Sequence, residues 1–321
     1  MQAIFIEQNG GVEVLKFGEF AKPAPASGQV LVKLSAAGVN FIDTYQRSGL
    51  YKIPLPAVLG MEGAGTVEAC GEGVSGFTPG QPVAWAMARG SYAEYCAVPA
   101  QFLVHVPHGL DLKQAAAAML QGMTAHYLTH STFPIEAGQV ALVHAAAGGT
   151  GRLVSQMVKL RGGRVIGTAG SAAKAKVAQE AGADDVILYR EQDLVSEVKR
   201  ITDGKGVAVV YDGVGASMFD ASLDCLRPRG MMVTFGNASG PVPPLDLLKL
   251  SAKGSLFVTR PTLANYSSPD EVKWRSGDVL GWIQQKKLSL MMEHEYPLKN
   301  AAAAHADLEG RKTMGKLVLA I

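Results

Sequence analysis

Residues 139–160 read QVALVHAAAGGTGRLVSQMVKL: a short β-prone apolar run, a bend of Ala and Gly, then apolar residues at helical spacing. Gly148, Gly149 and Gly151 stand where the strand turns into the helix. Glycines at such a bend let a pyrophosphate approach the backbone and let the helix pack closely, while the amides of the first helical turn point at the anion. This is the order of a dinucleotide fingerprint, with Ala146 in the place of its first glycine.

A glycine cluster alone is a weak signal; its surroundings strengthen it. Strand and helix patterns alternate downstream through GRVIGTAG, AAKAKVAQEAGA, DDVILY, DLVSEVKRIT, VAVVYDGVG, MFDASLDCLRPRG and MMVTFGNASG. Apolar strands separated by amphipathic helices predict a doubly wound parallel sheet covered on both faces, a Rossmann-type α/β fold.

The second strand of such a unit selects the nicotinamide cofactor. An acid at its end accepts hydrogen bonds from the adenosine ribose of NAD. Here GRVIGTAGSAAKAK ends without Asp or Glu and offers Gly170, Ser171 and Lys174, a hydroxyl and an ammonium suited to the extra phosphate of NADP. The bland alternative places Lys174 on a solvated helix face. Tyr189 and Arg190, ending the next strand, are placed to close the same pocket.

Before residue 110 the texture differs. QAIFIE, QVLVKLSAAGV, GTVEAC, QPVAWA and SYAEYCAV are short β-prone runs cut by Gly and Pro, the spacing of an irregular antiparallel barrel or sandwich. The helix near VKWRSGDVLGWIQQKK and the strand KLVLAI lack the βα rhythm and return to this first domain. The expected division is a mostly β domain over 1–122, completed by 262–321, with the Rossmann domain over 123–261 inserted into it.

Composition limits the functions. The chain has 321 residues, 48% of them hydrophobic and 18% charged, the make-up of a compact soluble protein. A formal net charge of +2 provides no electrostatic footprint for nucleic acid, which is not an expected partner. The N-terminal MQAIFIEQNGG has no secretory pattern and no apolar run spans a bilayer, so the expected location is cytoplasmic, with no membrane partner. Cys70, Cys96 and Cys225 are widely spaced and suggest neither a disulfide framework nor a zinc knuckle. His126 and His130 lie four apart in TAHYLTH, but Tyr127 stands where a metalloprotease motif needs Glu, and both are read as ordinary helix residues.

GVNFIDTYQRSGLY, LGMEGAGTV, HAAAGGTG, YDGVG, FGNASG and FVTRP, in this order over nearly the whole chain, closely resemble the zeta-crystallin-like quinone oxidoreductases of the medium-chain dehydrogenase/reductase superfamily. The resemblance implies a GroES-like, mostly β catalytic domain carrying the inserted Rossmann-type sheet. Zinc alcohol dehydrogenases of the superfamily have Cys where this chain has Asn40, and a G-H-E triplet where it has Gly60-Met61-Glu62. Amide and thioether side chains are poor zinc ligands, so no metal is expected; Met61 is expected to pack, with Gly60, Gly63 and Gly65 keeping the turn narrow.

The implied activity is NADPH-dependent, zinc-independent reduction of quinones by hydride or single-electron transfer. One alternative is an NADPH-dependent reductase of enone or enal double bonds; another is a non-catalytic protein that binds NADPH or RNA. The resemblance places Asn40 near the nicotinamide and Tyr45 and Tyr51 along the substrate cleft as catalytic candidates. It assigns cofactor contacts to Asn40, Thr44, Thr124, Tyr127, Gly149 and Thr150, and to Val214, Phe235, Gly236, Asn237 and Ser239. Val258, Thr259 and Arg311 complete that set, with Lys312 and Lys316 in LEGRKTMGK as substitutes for Arg311. Family members are commonly homodimers or homotetramers joined through the strand in SLFVTRP; a homodimer is the expected assembly.

Overall fold

A computed structural model describes residues 1–292 and 294–321, which divide into two compact units, Met1–Met123 with Tyr266–Ile321 and Thr124–Asn265. The second unit holds a six-stranded sheet in the order Asp185–Leu188, Arg164–Ala169, Val140–Val143, Val207–Asp212, Leu226–Thr234, Phe257–Thr259. Every pairing in it is parallel. The chain starts in the middle, winds outward to one edge and then outward to the other. The order therefore reverses beside Val140–Val143, the switch point at which α/β sheets bind ligands. The expected Rossmann-type α/β class is what the chain adopts.

These strands are buried because both faces are covered. Val207–Asp212 is buried throughout, and Leu142, Ile166, Ile187 and Val210 join Val198, Leu223 and Met232 in one core cluster. The helix Gly149–Leu160 starts at Gly148 with no side-chain cap. A β-carbon on Gly151 would strike the carbonyl of Ala145 and lie 3.0 Å from Cα of Ala146, so only glycine permits this approach of helix to strand. The left-handed residue of the bend is Ala145, at φ +50°, rather than a glycine.

A histidine that the sequence reading passed over locks the bend from below. His144 is buried, with Nδ1 3.1 Å from Thr168 Oγ1 and Nε2 2.8 Å from Ser222 Oγ. The Ser222 hydroxyl donates to the Met218 carbonyl at 2.6 Å, so it accepts from His144, and the imidazole carries its proton on Nε2. Nδ1 then accepts from Thr168, whose oxygen also receives the Ala145 amide at 3.3 Å.

The first unit contains a seven-stranded sheet among the described residues, ordered His294–Pro297, Leu317–Ala320, Gln29–Val39, Glu62–Cys70, Pro82–Ala86, Leu103–His105, with Tyr95–Pro99 also pairing Gln29–Val39. A smaller sheet joins Lys16–Glu19, Gln2–Ile6 and Ala57–Val58. The C-terminal strand pairs antiparallel with Gln29–Val39, Leu317 opposite Val39 and Ala320 opposite Ala36. Trp85, Leu59, Val30 and Leu319 are fully buried in the core of this unit. Gly60 alone occupies the turn, at φ +92°, where a β-carbon would meet Ser91 and the Tyr92 ring. Gly63 and Gly65, expected in that turn, lie instead in the strand Glu62–Cys70, where small residues admit Trp85 and the backbone of Lys33.

Burial lowers His144 from 6.5 to about 4, so the folded protein keeps it neutral at a pH where the unfolded chain takes up a proton. Its contribution to stability is full above pH 6.5 and declines as pH falls toward 4, by about 1.4 kcal/mol per unit. Thermal unfolding measured across this window should show a shallower acid-side decline for His144→Gln than for the wild type; equal slopes would contradict the assignment.

Candidate active site

Within the first unit, the helix Phe41–Ser48 sets out the candidate catalytic residues. Asn40 precedes it, and its backbone N–H donates to Asp43 Oδ2 at 2.8 Å. Thr44 is buried, its hydroxyl donating to the Phe41 carbonyl at 2.9 Å. The Tyr45 and Tyr51 rings meet edge to face at 5.2 Å, Phe41 lies 6.0 Å from Tyr45, and the Tyr51 amide donates to the Tyr45 carbonyl at 3.0 Å. Tyr45 and Tyr51, six residues apart, thus form one aromatic pair, with Tyr51 on the surface.

The Asn40 side chain belongs to a buried charged cluster. Its Nδ2 donates to Glu62 Oε1 at 2.7 Å and to the Gly38 carbonyl at 3.5 Å. Its Oδ1 accepts from Lys316 Nζ at 2.7 Å and Gln121 Nε2 at 3.3 Å. Lys316 forms an ion pair with Glu62 and donates to the Val39 carbonyl at 3.2 Å, while Glu62 Oε2 accepts the Leu120 amide at 2.6 Å. Lys316, a possible substitute for Arg311 on sequence grounds, is committed here. Arg311 itself is exposed, left-handed at φ +55°, just beyond the helix Ala301–Glu309.

A second polar chain leads away from Asp43. Tyr92 donates to Asp43 Oδ2 at 3.0 Å, and His305 Nε2 lies 3.2 Å from the Tyr92 oxygen. His305 Nδ1 faces Arg47 Nη1 at 3.2 Å, and Arg47 grips Glu309 at 2.7 and 3.1 Å. Arginine only donates, so Nδ1 accepts and the His305 proton sits on Nε2. Burial, reinforced by the Arg47 charge, lowers His305 to about 3. Burial raises Asp43 to about 7, against the opposing pull of the Asn40 amide and the Tyr92 hydroxyl.

Zinc does not fit these residues. Met61 is buried with its sulfur 3.3 Å from Gln46 Nε2, and the Asn40 oxygen and Glu62 already share the Lys316 ammonium. A resident cation there excludes a second by repulsion. Among the described residues no group of His, Cys, Asp and Glu is arranged to hold a metal ion.

The second unit gathers its candidates along the carboxyl edge of its sheet. After Arg164–Ala169, a β-carbon on Gly170 would lie 2.8 Å from Tyr189 Oη and 3.5 Å from Arg190 Nε. Ser171 caps the following helix, accepting from the Lys174 amide at 3.4 Å. A phenol and a guanidinium thus converge near one glycine, with the Ser171 hydroxyl at the next residue, a donor set that fits a phosphate monoester. Gly148, Gly149, Thr150 and Gly151 form the bend and first helical turn, whose amides fit a pyrophosphate.

Beyond the switch point the loops interlock. Asp212, raised to about 6 by burial, accepts the Val214 amide at 2.7 Å and the Gly215 amide at 3.1 Å. Ser239 donates to the Val214 carbonyl at 2.8 Å, and Phe235 N–H to the Asp212 carbonyl at 2.8 Å. The Asn237 amide, oriented to satisfy its neighbours, donates to the Gly236 carbonyl and accepts from Arg260, both at 3.1 Å. Val258 and Thr259 lie on the adjacent strand, opposite Met232 and Val233. Thr124 and Tyr127 are buried in the last turn of the helix Leu112–Tyr127. Asp212 and His144 had no place in the sequence reading; the acid in YDGVG two and three residues before Val214 and Gly215 is an Asx-turn signal that marks the first.

Residues 26–108 match the family described as alcohol dehydrogenase GroES-like domain, and 149–269 the one described as zinc-binding dehydrogenase. A quinone oxidoreductase of Pseudomonas aeruginosa is 44% identical over 97% of this chain and 96% of that protein. A 2-haloacrylate reductase of a Burkholderia species is 40% identical over 99% of this chain and 98% of that protein. The crystal structure of Escherichia coli quinone oxidoreductase complexed with NADPH superposes with a TM-score of 0.98 at 43% identity, covering 100% of both chains. Sequence and fold agree, and the chain belongs to the quinone oxidoreductases of the medium-chain dehydrogenase/reductase superfamily.

Proposed function

We infer that the chain is an NADPH:quinone oxidoreductase that works without zinc. The observation that carries this is the Gly170 cluster, at a strand end without an acid, in a chain 44% identical to a quinone oxidoreductase. NADPH supplies the hydride. Gly148–Gly151 hold its pyrophosphate; Ser171, Lys174, Tyr189 and Arg190 hold the 2′-phosphate. The Val214, Phe235–Ser239 and Val258–Thr259 segments, with Thr124 and Tyr127, support the nicotinamide half.

An acceptor that spreads the incoming negative charge over a conjugated ring needs only hydrogen-bond donors. Asn40 supplies an amide and the Tyr45–Tyr51 pair an aromatic wall with phenols. Tyr92 and His305 are sealed in, and the Arg47 guanidinium, which does not give up its proton, ends their chain, so the final proton comes from solvent. The likeness to a 2-haloacrylate reductase favours a second reading, reduction of an electron-poor alkene on the same scaffold.

The assembly we propose is a homodimer joined along the edge strand Phe257–Thr259, in the cytoplasm. Phe257 is 56% exposed there, and nearby in sequence Leu247 and Leu248 are 72% and 74% exposed. An edge strand with an apolar side chain is stabilised by being covered.

Initial rates with NADPH should favour 1,4-benzoquinone over both an α,β-unsaturated ketone and 2-chloroacrylate; a preference for either alkene would reverse the first choice. Lys174→Ala should lower the preference for NADPH over NADH about 10- to 100-fold, from loss of a charge-assisted contact, with kcat on NADPH little changed. Unaltered selectivity would return Lys174 to the solvated face. Light scattering should find Phe257→Asp monomeric if the edge strand joins two copies, and of unchanged mass if it does not.

A further inference from the structure

The two ends of an asparagine amide are nearly equal in shape, and only the neighbours decide which is oxygen and which is nitrogen. Around Asn40 the decision is forced from both sides. Lys316 can only donate, so Oδ1 faces it; ionised Glu62 can only accept, so Nδ2 faces it, both at 2.7 Å. Gln121 adds a second donor on the oxygen side. The remaining Nδ2 proton has only the 3.5 Å contact to the Gly38 carbonyl, the longest of the set, and keeps capacity to donate elsewhere.

The ion pair is an expensive way to hold an amide. Glu62 is fully buried and Lys316 is 2% exposed. Replacing such a pair by apolar residues of similar volume is often neutral or stabilising, so stability alone gives little reason for it.

We propose that Lys316 and Glu62 are positioning residues for quinone reduction: they clamp the Asn40 amide in one of its two flips, so that Nδ2–H is presented to the oxygen of the bound acceptor, where negative charge develops. This rests on the reading of Asn40 as a residue of the reaction site. Neither charged group touches the substrate; each acts through the amide.

The test uses the full-length double variant E62Q/K316M. The Leu120 amide holds the oxygen of the introduced Gln, which therefore turns its own NH2 toward Asn40, and Met offers no donor; the native flip is no longer enforced, while volume is kept and no bare charge is buried. The double variant should unfold within a few degrees of the wild type and still bind NADPH, by fluorescence titration, so that kcat can be read at saturating cofactor. Its kcat for 1,4-benzoquinone should fall about 10- to 100-fold. Asn40→Ala alone should produce a similar loss, and adding it to the double variant should cost nothing further, the non-additivity expected of residues that act as one unit. A folded double variant with wild-type kcat, or losses that simply multiply, would overturn the clamp while leaving the quinone reductase reading intact. Failure of the wild type itself to turn over benzoquinone would overturn both.

Discussion

Two opposite charges removed from water must meet, and in this chain their meeting organises the first unit. Lys316 and Glu62 are 254 positions apart in sequence, yet both are buried and paired. Around them gather the Val39 carbonyl at the end of a central strand, Asn40 at the head of the Phe41–Ser48 helix, and the Leu120 amide in the Leu112–Tyr127 helix. A buried ion whose partner is taken away is strongly destabilising, so each of these elements is held to a single register by the need to keep the pair satisfied. The short strand Leu317–Ala320 needs this: of its pairings, that with Gln29–Val39 places Lys316 beside Val39.

The same cluster is the reason that zinc does not fit the residues around Asn40. Chains described as zinc-binding dehydrogenases match residues 149–269, but that match covers the nucleotide-binding part of the sequence. In the other unit the position after Gly60 holds a thioether, and an ammonium already sits among the oxygens. A monovalent cation fixed by a side chain cannot take a substrate oxygen as a ligand. It can still order the hydrogen-bonding groups around it.

Much of the architecture was legible because parallel sheets leave a strong trace. VALV, RVIGTA and VAVVYD are apolar on both faces, and the helices between them carry the other period. The bend at Gly148–Gly151 was legible for a related reason, since contact with an anion and close helix packing both need missing side chains. Tyr189 and Arg190 could be expected beside Gly170 because adjacent parallel strands end on the same edge. What escaped were partners without local pattern. His144 reads like any residue before a glycine-rich bend, and nothing near it announces Thr168 or Ser222. Lys316 lies within a few residues of two other cations, and only its tertiary neighbours separate it from them. Gly63 and Gly65 were read as a turn because glycine signals both bends and crowded strands, and the alternation of the strand is hidden where both residue types are small.

The first unit is assembled from both ends of the chain, Met1–Met123 and Tyr266–Ile321, whereas the second is one uninterrupted segment. A ribosome delivers these parts in order. The nucleotide-binding unit emerges whole and can fold while synthesis continues, but Glu62 waits in the nascent polypeptide without its counter-ion until Lys316, 254 residues later, has been added. Vectorial synthesis therefore separates the two maturation events in time, and a chain broken off after Asn265 but before Lys316 would carry an intact Rossmann unit and a half-built partner.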